Sequence, residues 1–90
     1  MPTPLMPLTH HLPVRPSWAC RHCARPWPCS PGRSDLAVEF GGRPALLLYY
    51  MSAHVVAFTG DLAQRGLLPE AEHIYPRFID WVRPSTARPE

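Results

Sequence analysis

The clearest pattern in the sequence is an apolar stripe at helical spacing near its middle. The positions of this stripe recur at intervals of three and four: Leu47, Tyr50, Met51, His54, Val55, Phe58 and Leu62. Residues at these intervals share one face of an α-helix. Proline suits the first turn of a helix and glycine its end, so we predict a helix from Pro44 to about Arg65, stopped by Gly66. The β-branched and aromatic residues between Tyr49 and Phe58 leave a strand as the alternative.

A shorter helical pattern precedes this stripe. Ser30 can cap a helix that ends at the two glycines before residue 43. Leu36 and Phe40 are four residues apart and would share its apolar face, while Asp35 and Glu39 would point to water. The pattern therefore predicts a first helix with one buried side.

A third helical pattern covers residues 69–82. Its apolar residues fall on one side of a helix: Ile74, Phe78 and Trp81 or Val82. Pro76 lies within the pattern, and a proline inside a helix removes a backbone hydrogen bond. We therefore expect this helix to kink or to restart at Pro76.

The first third of the chain cannot form regular helix or a central strand. The 90 residues include thirteen prolines, and eight of them precede residue 32. Each proline fixes φ and removes a donor. We predict an extended proline-rich arm over residues 1–17, one domain over residues 18–83 and a tail over residues 84–90. The fold class is then a small mostly-α domain, in which an irregular, proline-rich knuckle precedes about three helices.

The charges are divided unevenly along the chain. Residues 1–34 carry four arginines and no acid, whereas residues 35–90 carry five arginines and seven acids. The net charges of +4 and −2 add up to +2 for the whole chain. So small a total argues against a protein that coats nucleic acid, although a local basic face is compatible with it.

Neither a signal sequence nor a membrane span is predicted. The first residues lack the basic segment and apolar core of a secretory signal. The most apolar run covers residues 45–60, which is shorter than the roughly 20 apolar residues that cross a bilayer. We therefore expect a cytoplasmic protein without a membrane segment.

All three cysteines lie close together, at Cys20, Cys23 and Cys29. A C-x-x-C motif of the redox type follows a strand and opens a helix, but here the motif is followed by Ala-Arg-Pro-Trp-Pro, which cannot be helical. A disulfide would leave one thiol over, and the cytoplasm disfavours disulfides. The C-x-x-C spacing is the usual first half of a zinc site. Three cysteines then require one further ligand.

Histidine is the suitable fourth ligand for three cysteine sulfurs. The candidates are His10, His11, His22, His54 and His73. A residue between two ligating cysteines, such as His22, directs its side chain away from the ion. His54 lies on the apolar stripe, which is typical of a hydrogen-bonded core residue. Spacing favours His11, then His10, then His54.

Iron–sulfur ligation is the alternative to zinc, because some clusters accept histidine in place of cysteine. The compact spacing favours a single ion. No acidic residue occurs before Asp35 to act as a base. A site whose fourth position is filled by histidine is also closed to water, so it would be structural rather than catalytic. The remaining candidate residues of the site are predicted to hydrogen-bond the sulfurs, screen the ion or form an exposed binding patch: Arg15, Trp18, Arg21, Arg25 and Trp27.

The cysteine segment also resembles a known family. The string H-x-P-x-R-P-x-W-x-C-x-x-C-x-x-P-W-P-C is formed by His11, Pro13, Arg15, Pro16, Trp18, Cys20, Cys23, Pro26, Trp27, Pro28 and Cys29. It is similar to short, largely uncharacterised actinobacterial proteins, which are often loosely labelled flavin reductase, and the similarity covers residues 11–82. The resemblance implies a histidine ligand at His11 but no established activity. The residues give no support to the flavin label, because the chain has no glycine-rich dinucleotide fingerprint.

The sequence therefore predicts a small zinc-binding protein, with Zn²⁺ held by Cys20, Cys23, Cys29 and His11, rather than an enzyme. We expect it to act as an interaction, accessory or regulatory module with a protein partner. One alternative is a nucleic-acid-binding zinc domain, which would use arginines on phosphates and a tryptophan for stacking. The other is a thiol-redox or metal enzyme.

Overall fold

Helices follow a short irregular segment in the computed structural model, which describes residues 8–82. The helices are α1 (Ser30–Glu39), α2 (Pro44–Gln64) and α3 (Ala71–Ile74), and α3 continues into a π-helical turn (Tyr75–Ile79) and a 3-10 turn (Asp80–Val82). The predicted fold class, a small mostly-α domain, is confirmed. Residues 1–7 of the predicted arm and the whole predicted tail, residues 84–90, lie outside the described residues.

The irregular segment contains one minimal sheet. Strand β1 (Pro13–Val14) pairs with β2 (Ala19–Cys20) in antiparallel register, so that Pro13 lies opposite Cys20 and Val14 opposite Ala19. A proline cannot donate to a ladder, which is consistent with strands of only two residues each. The pairing folds the segment back on itself before the first helix begins.

Helix α1 begins one residue earlier than its predicted cap implies. Cys29, not Ser30, has the extended backbone of the capping position, and Ser30 is already helical. Leu36 is completely buried, as the pattern predicted. The prediction that Asp35 points to water is wrong, because Asp35 is half-buried and accepts a hydrogen bond of 2.7 Å from the hydroxyl of Thr9. The contact with Thr9 of the irregular segment explains why Asp35 does not point to water as the helical pattern predicted.

Helix α2 confirms the central stripe and excludes the strand alternative. Leu47 and Met51 are buried, and the remaining stripe residues are half-buried. Gly66 has a φ of 75°, which glycine adopts without steric cost and which ends the helical path. By length and composition α2 could cross a membrane, although its most apolar window has a mean hydropathy of only 1.2. Mostly buried core helices of soluble proteins also meet that condition, whereas 11% of this window is buried inside the domain.

The last segment changes its helical form at the predicted point. The π-helical turn contains Pro76, which cannot donate a backbone hydrogen bond. Ile74, Phe78 and Val82 are nevertheless buried on one side. The predicted interruption and the predicted apolar face are therefore both confirmed.

Two tryptophans of the irregular segment form the centre of the core. Trp18 is 2% exposed and Trp27 is 0% exposed. The ring of Trp18 meets Phe58 and Phe78 edge-on, with centroids 5.5 and 6.0 Å apart. Such contacts stabilise a core beyond the burial of area alone. The irregular segment thus supplies core side chains to the helices.

Arg77 joins the last segment to the backbone of these tryptophans. Its guanidinium donates hydrogen bonds of 2.8 Å to the carbonyl of Trp27 and 3.0 Å to the carbonyl of Trp18. The same group lies 5.1 Å from the ring centroid of Phe58. Carbonyls in a segment without regular structure need such donors, because an unpaired buried carbonyl is costly.

Asp61 of α2 holds the other side of the irregular segment. It accepts two hydrogen bonds from Arg15, of 2.8 and 2.9 Å, and one of 2.8 Å from the indole of Trp18. The bonds from Arg15 and Trp18 lower the pKa of Asp61 from 3.8 to about 2. Because the folded-state pKa is depressed, the carboxylate stabilises the fold above its ordinary pKa and loses that contribution as the pH falls through about 2.

Replacement of Arg77 by methionine should destabilise the domain. The variant leaves the two tryptophan carbonyls without their charged donor, and we expect the free energy of unfolding to fall by about 1.5–3 kcal/mol. Urea unfolding at a fixed, saturating zinc concentration measures the difference. Arg65→Met, at an exposed position near the end of α2, is the matched control and should change stability little. Equal stability of the two variants would contradict the role of Arg77.

Candidate metal centre

Three sulfurs and one imidazole nitrogen converge on one point. The ligand atoms of His11, Cys20, Cys23 and Cys29 all lie within 4.8 Å of one another. The Nδ1 atom of His11 lies 3.3 Å from the sulfur of Cys20 and 3.3 Å from the sulfur of Cys29. The three cysteines are not joined in disulfides. This donor set could hold a metal ion.

The backbone around β1 and β2 places His11 beside Cys20. The N–H of Arg21 donates a 2.8 Å hydrogen bond to the carbonyl of Leu12, and Pro13 lies opposite Cys20. The ladder therefore sets the two ligating residues side by side, although nine residues separate them in sequence.

A tight turn brings Cys23 back to Cys20. The N–H of Ala24 donates a 2.8 Å hydrogen bond to the carbonyl of Cys20, and Ala24 has a φ of 66°. A non-glycine residue in this left-handed region is strained. The strain indicates that the surrounding contacts fix the turn.

The third sulfur belongs to Cys29, the residue at which α1 begins. Cys29 occupies the capping position with extended backbone angles, and the positive end of a helix favours a thiolate. Gly32, one turn into α1, is buried against this point. A Cβ at Gly32 would lie 3.1 Å from the Cβ of His11 and 3.3 Å from the sulfur of Cys29. The close approach of His11 to the helix therefore favours glycine, because a Cβ there would make His11 or Cys29 shift by a few tenths of an ångström.

Three contacts fix the backbone of His11 above α1. Its carbonyl accepts a 2.8 Å hydrogen bond from the indole of Trp27, and its N–H donates a 3.0 Å hydrogen bond to the hydroxyl of Thr9. Thr9 in turn donates to Asp35 of α1. Sequence analysis did not identify Thr9, Gly32 or the role of Asp35. No spacing or motif signals them, since they act only through contacts formed in the folded chain.

Burial and backbone hydrogen bonds act on the sulfurs in opposite directions. Burial raises the pKa of the Cys29 thiol. Burial also acts to raise the pKa of Cys20, but hydrogen bonds from the backbone N–H groups of Cys23 and His22 outweigh it and lower that pKa. The protein alone therefore does not ionise the thiols of Cys20 and Cys29 equally. A bound cation deprotonates all of its thiol ligands.

Within residues 8–82, none of the other candidate histidines belongs to the ligand cluster. His54 donates a 2.9 Å hydrogen bond from Nδ1 to the carbonyl of Tyr50, and its ring lies 4.8 Å from that of Trp27. Burial lowers its pKa. His22 is exposed, with its ring 4.6 Å from that of His11. His54 is the hydrogen-bonded core residue that its position on the stripe predicted.

Two expectations about the surroundings of the cluster are wrong. The exposed patch cannot include Trp18 or Trp27, because both are buried in the core. Arg15 pairs with Asp61 instead of the sulfurs, and Arg21 and Arg25 are exposed. Within residues 8–82, backbone N–H groups bond the sulfurs in their place. Backbone donors are already fixed by the turn and helix, so they lose less entropy than long arginine side chains would.

Substitution of Gly32 by alanine should weaken metal binding. The added methyl would displace His11 or Cys29, and we expect the metal affinity to fall by roughly 10–100-fold, the range typical of changes just outside the ligand shell. Competition with a chelator at low micromolar protein measures it. Gly60→Ala, where no atom lies within 4 Å of the new Cβ, is the control and should bind as the wild type does. An unchanged affinity in Gly32→Ala would contradict the packing argument.

Comparisons of the chain with protein-family models, with curated proteins and with solved structures found no match. The similarity to the actinobacterial proteins therefore stays a prediction. The function must be inferred from the geometry of the ligand cluster.

Proposed function

We propose that the protein is a small zinc-binding module whose ion is held by Cys20, Cys23, Cys29 and His11 and has a structural role. The single observation that carries this proposal is the convergence of the four ligand atoms within 4.8 Å. Two sulfurs at about 2.3 Å from one tetrahedral ion are about 3.8 Å apart. The ligand atoms thus already lie near the spacing that one tetrahedral ion needs.

Zinc fits this cluster better than an iron–sulfur centre does. Tetrahedral sites with three thiolates and one imidazole are typical of structural zinc. A cluster of two or four irons distributes its ligands over separate metal atoms, which requires a wider arrangement than 3.3 Å between His11 and two of the sulfurs. The proposed ion therefore is a single Zn²⁺.

A structural role is supported by what surrounds the ligands. With His11 in the fourth position the coordination is complete, and a catalytic zinc requires an open position for water or substrate. The carboxylate of Asp35 is engaged by Thr9 and helps to orient His11 through that residue. The carboxylate of Asp35 is thus bonded to a residue that positions His11 and is not free to act as a base.

The ion would fasten the irregular segment to α1. Two ligands come from the strand pair and the following turn, and a third is the capping residue of α1. Structural zinc contributes on the order of 10 kcal/mol to folding, which is comparable to the whole stability of a small domain. A segment held in this way can present a fixed surface to a protein partner. We therefore assign an accessory or interaction role, and we expect the protein to work in the cytoplasm.

The two alternative functions have less support. Nucleic-acid binding through tryptophan stacking would require exposed rings, and Trp18 and Trp27 are buried. A thiol enzyme requires an accessible thiolate, whereas Cys20 and Cys29 are buried and Cys23 is half-buried. An interaction module agrees with both observations.

Removal of His11 should weaken zinc binding selectively. We expect one equivalent of zinc in the wild type, and in His11→Ala a loss of affinity beyond the roughly 10–100-fold that changes outside the ligand shell produce. His22→Ala, an exposed position 4.6 Å away, should retain the metal. His11→Cys should also retain it, with the Co²⁺ absorption spectrum of a site made of four sulfurs.

Metal analysis and Co²⁺ spectroscopy measure both properties. Full zinc binding by His11→Ala, or its loss in His22→Ala, would show that the fourth ligand is assigned wrongly. Iron and inorganic sulfide in protein purified without oxygen would exclude the single zinc ion.

Chelation should expose the thiols to alkylation. In the zinc-loaded protein all three cysteines should react slowly, because ligation and burial protect them. After chelation we expect Cys23, the least buried of the three, to react first. Mass spectrometry after timed alkylation identifies the modified residue. A fast-reacting cysteine in the loaded protein would instead favour the thiol enzyme.

A further inference from the structure

A cleft beside the ligand cluster is lined by hydrogen-bond donors and by no acidic residue. It has a volume of about 500 Å³ and lies between the chain before β1 and the turn after β2, where it is lined by Thr9, His10, Leu12, Arg21 and His22. Volumes of this size are typical of sites for small molecules. None of the four candidate metal ligands belongs to the lining. The cleft is therefore a separate feature from the proposed zinc site.

Backbone hydrogen bonds fix the two walls of this cleft. The N–H of Arg21 donates a 2.8 Å hydrogen bond to the carbonyl of Leu12, and the N–H of Leu12 donates one of 3.2 Å to the carbonyl of His10. On the other wall, the N–H of His22 donates to the sulfur of Cys20 over 3.3 Å. The fold alone thus sets the positions from which the side chains of the cleft extend.

The guanidinium of Arg21 has no acidic partner within residues 8–82. The ion pairs of that part of the chain join Arg15 to Asp61 and His73 to Glu70, and residues 1–34 contain no acid. An unpaired guanidinium attracts anions, and its planar fork donates two parallel hydrogen bonds to phosphate or carboxylate oxygens. It also repels cations, so this cleft disfavours a second metal ion.

The two walls each contribute one imidazole. The ring centroids of His10 and His22 are 6.5 Å apart. Two imidazole N–H groups that donate to one oxygen at about 2.9 Å have ring centres roughly 6–7 Å apart. A neutral imidazole already has one N–H to donate, so the arrangement needs no protonation. With Arg21, the cleft therefore offers three donor side chains to one anionic group.

We propose that this cleft binds a phosphate monoester, with its phosphate group on Arg21, His10 and His22 and its organic group against Leu12. A phosphate monoester has three terminal acceptor oxygens, one for each donor side chain, whereas a carboxylate has two. The cleft is larger than a phosphate group alone, and half-buried Leu12 gives the organic group an apolar contact. This ligand site goes beyond the proposed zinc function and uses none of the four metal ligands.

The test titrates phenyl phosphate into the full zinc-loaded chain at constant ionic strength and follows the amide and guanidinium signals by NMR. Because Arg21 and both histidines are exposed, we expect a dissociation constant of roughly 1 mM, with the shifts concentrated at residues 9–12 and 21–22. Arg21→Gln should weaken binding at least about tenfold, because it removes the charged donor. His22→Ala should weaken it as well.

Arg25→Gln is the matched control. Arg25 is an equally exposed arginine outside the lining of the cleft, so the control removes the same charge and should bind as the wild type does. Zinc content and circular dichroism verify that all three variants fold. Equal weakening in Arg21→Gln and Arg25→Gln would reveal a general attraction of charge and would overturn the site.

Three further results would also overturn the proposal. Benzoate that binds as tightly as phenyl phosphate would show that the cleft does not select phosphate. A second equivalent of zinc, bound by the wild type and lost in His22→Ala, would show that the two histidines hold a metal instead. The third is the absence of any shift up to about 20 mM phenyl phosphate, far above the expected dissociation constant. One equivalent of zinc in the same sample would then leave the zinc site standing.

Discussion

The convergence of four ligating side chains on one point is the constraint on which the rest of this structure depends. The proline-rich segment before α1 forms only a pair of two-residue strands, so its backbone hydrogen bonds cannot hold it in place. Its position is fixed where His11 and the three cysteines meet. The proposed zinc ion would convert that meeting point into four strong bonds. A chain of 90 residues has a small core, and a metal is one of the few additions that can stabilise it.

The same constraint explains why two tryptophans of an irregular segment are central to the core. Trp18 and Trp27 flank the first two cysteines and precede the third, so fixing the cysteines directs both rings toward α2 and the last segment. Each ring then brings backbone carbonyls into the interior, and Arg77 supplies their donors. Asp61 supplies the acceptor for the indole N–H of Trp18. Ligand geometry, aromatic packing and these two polar anchors thus support one another.

Helix α2 has two apolar sides with different surroundings. One side packs on the tryptophans through Met51 and Phe58, and the other exposes Tyr49 and Val56. The candidate metal centre instead includes Cys29, the residue that caps α1. The His/Cys cluster and the exposed apolar side of α2 therefore lie on different elements of one small domain.

The sequence by itself determined the helices, because their apolar residues follow the helical period and their ends carry proline and glycine. It also predicted which residue types come together in the cluster, because the spacing of the cysteines and the odd number of thiols define a set that one histidine completes. Only the tertiary structure decided which side chains support that set. Thr9, Asp35 and Gly32 hold His11 through contacts between elements that are distant in sequence. Trp18 and Trp27 are buried for the same reason: local sequence gives a ring its chemistry, but exposure depends on what packs against it.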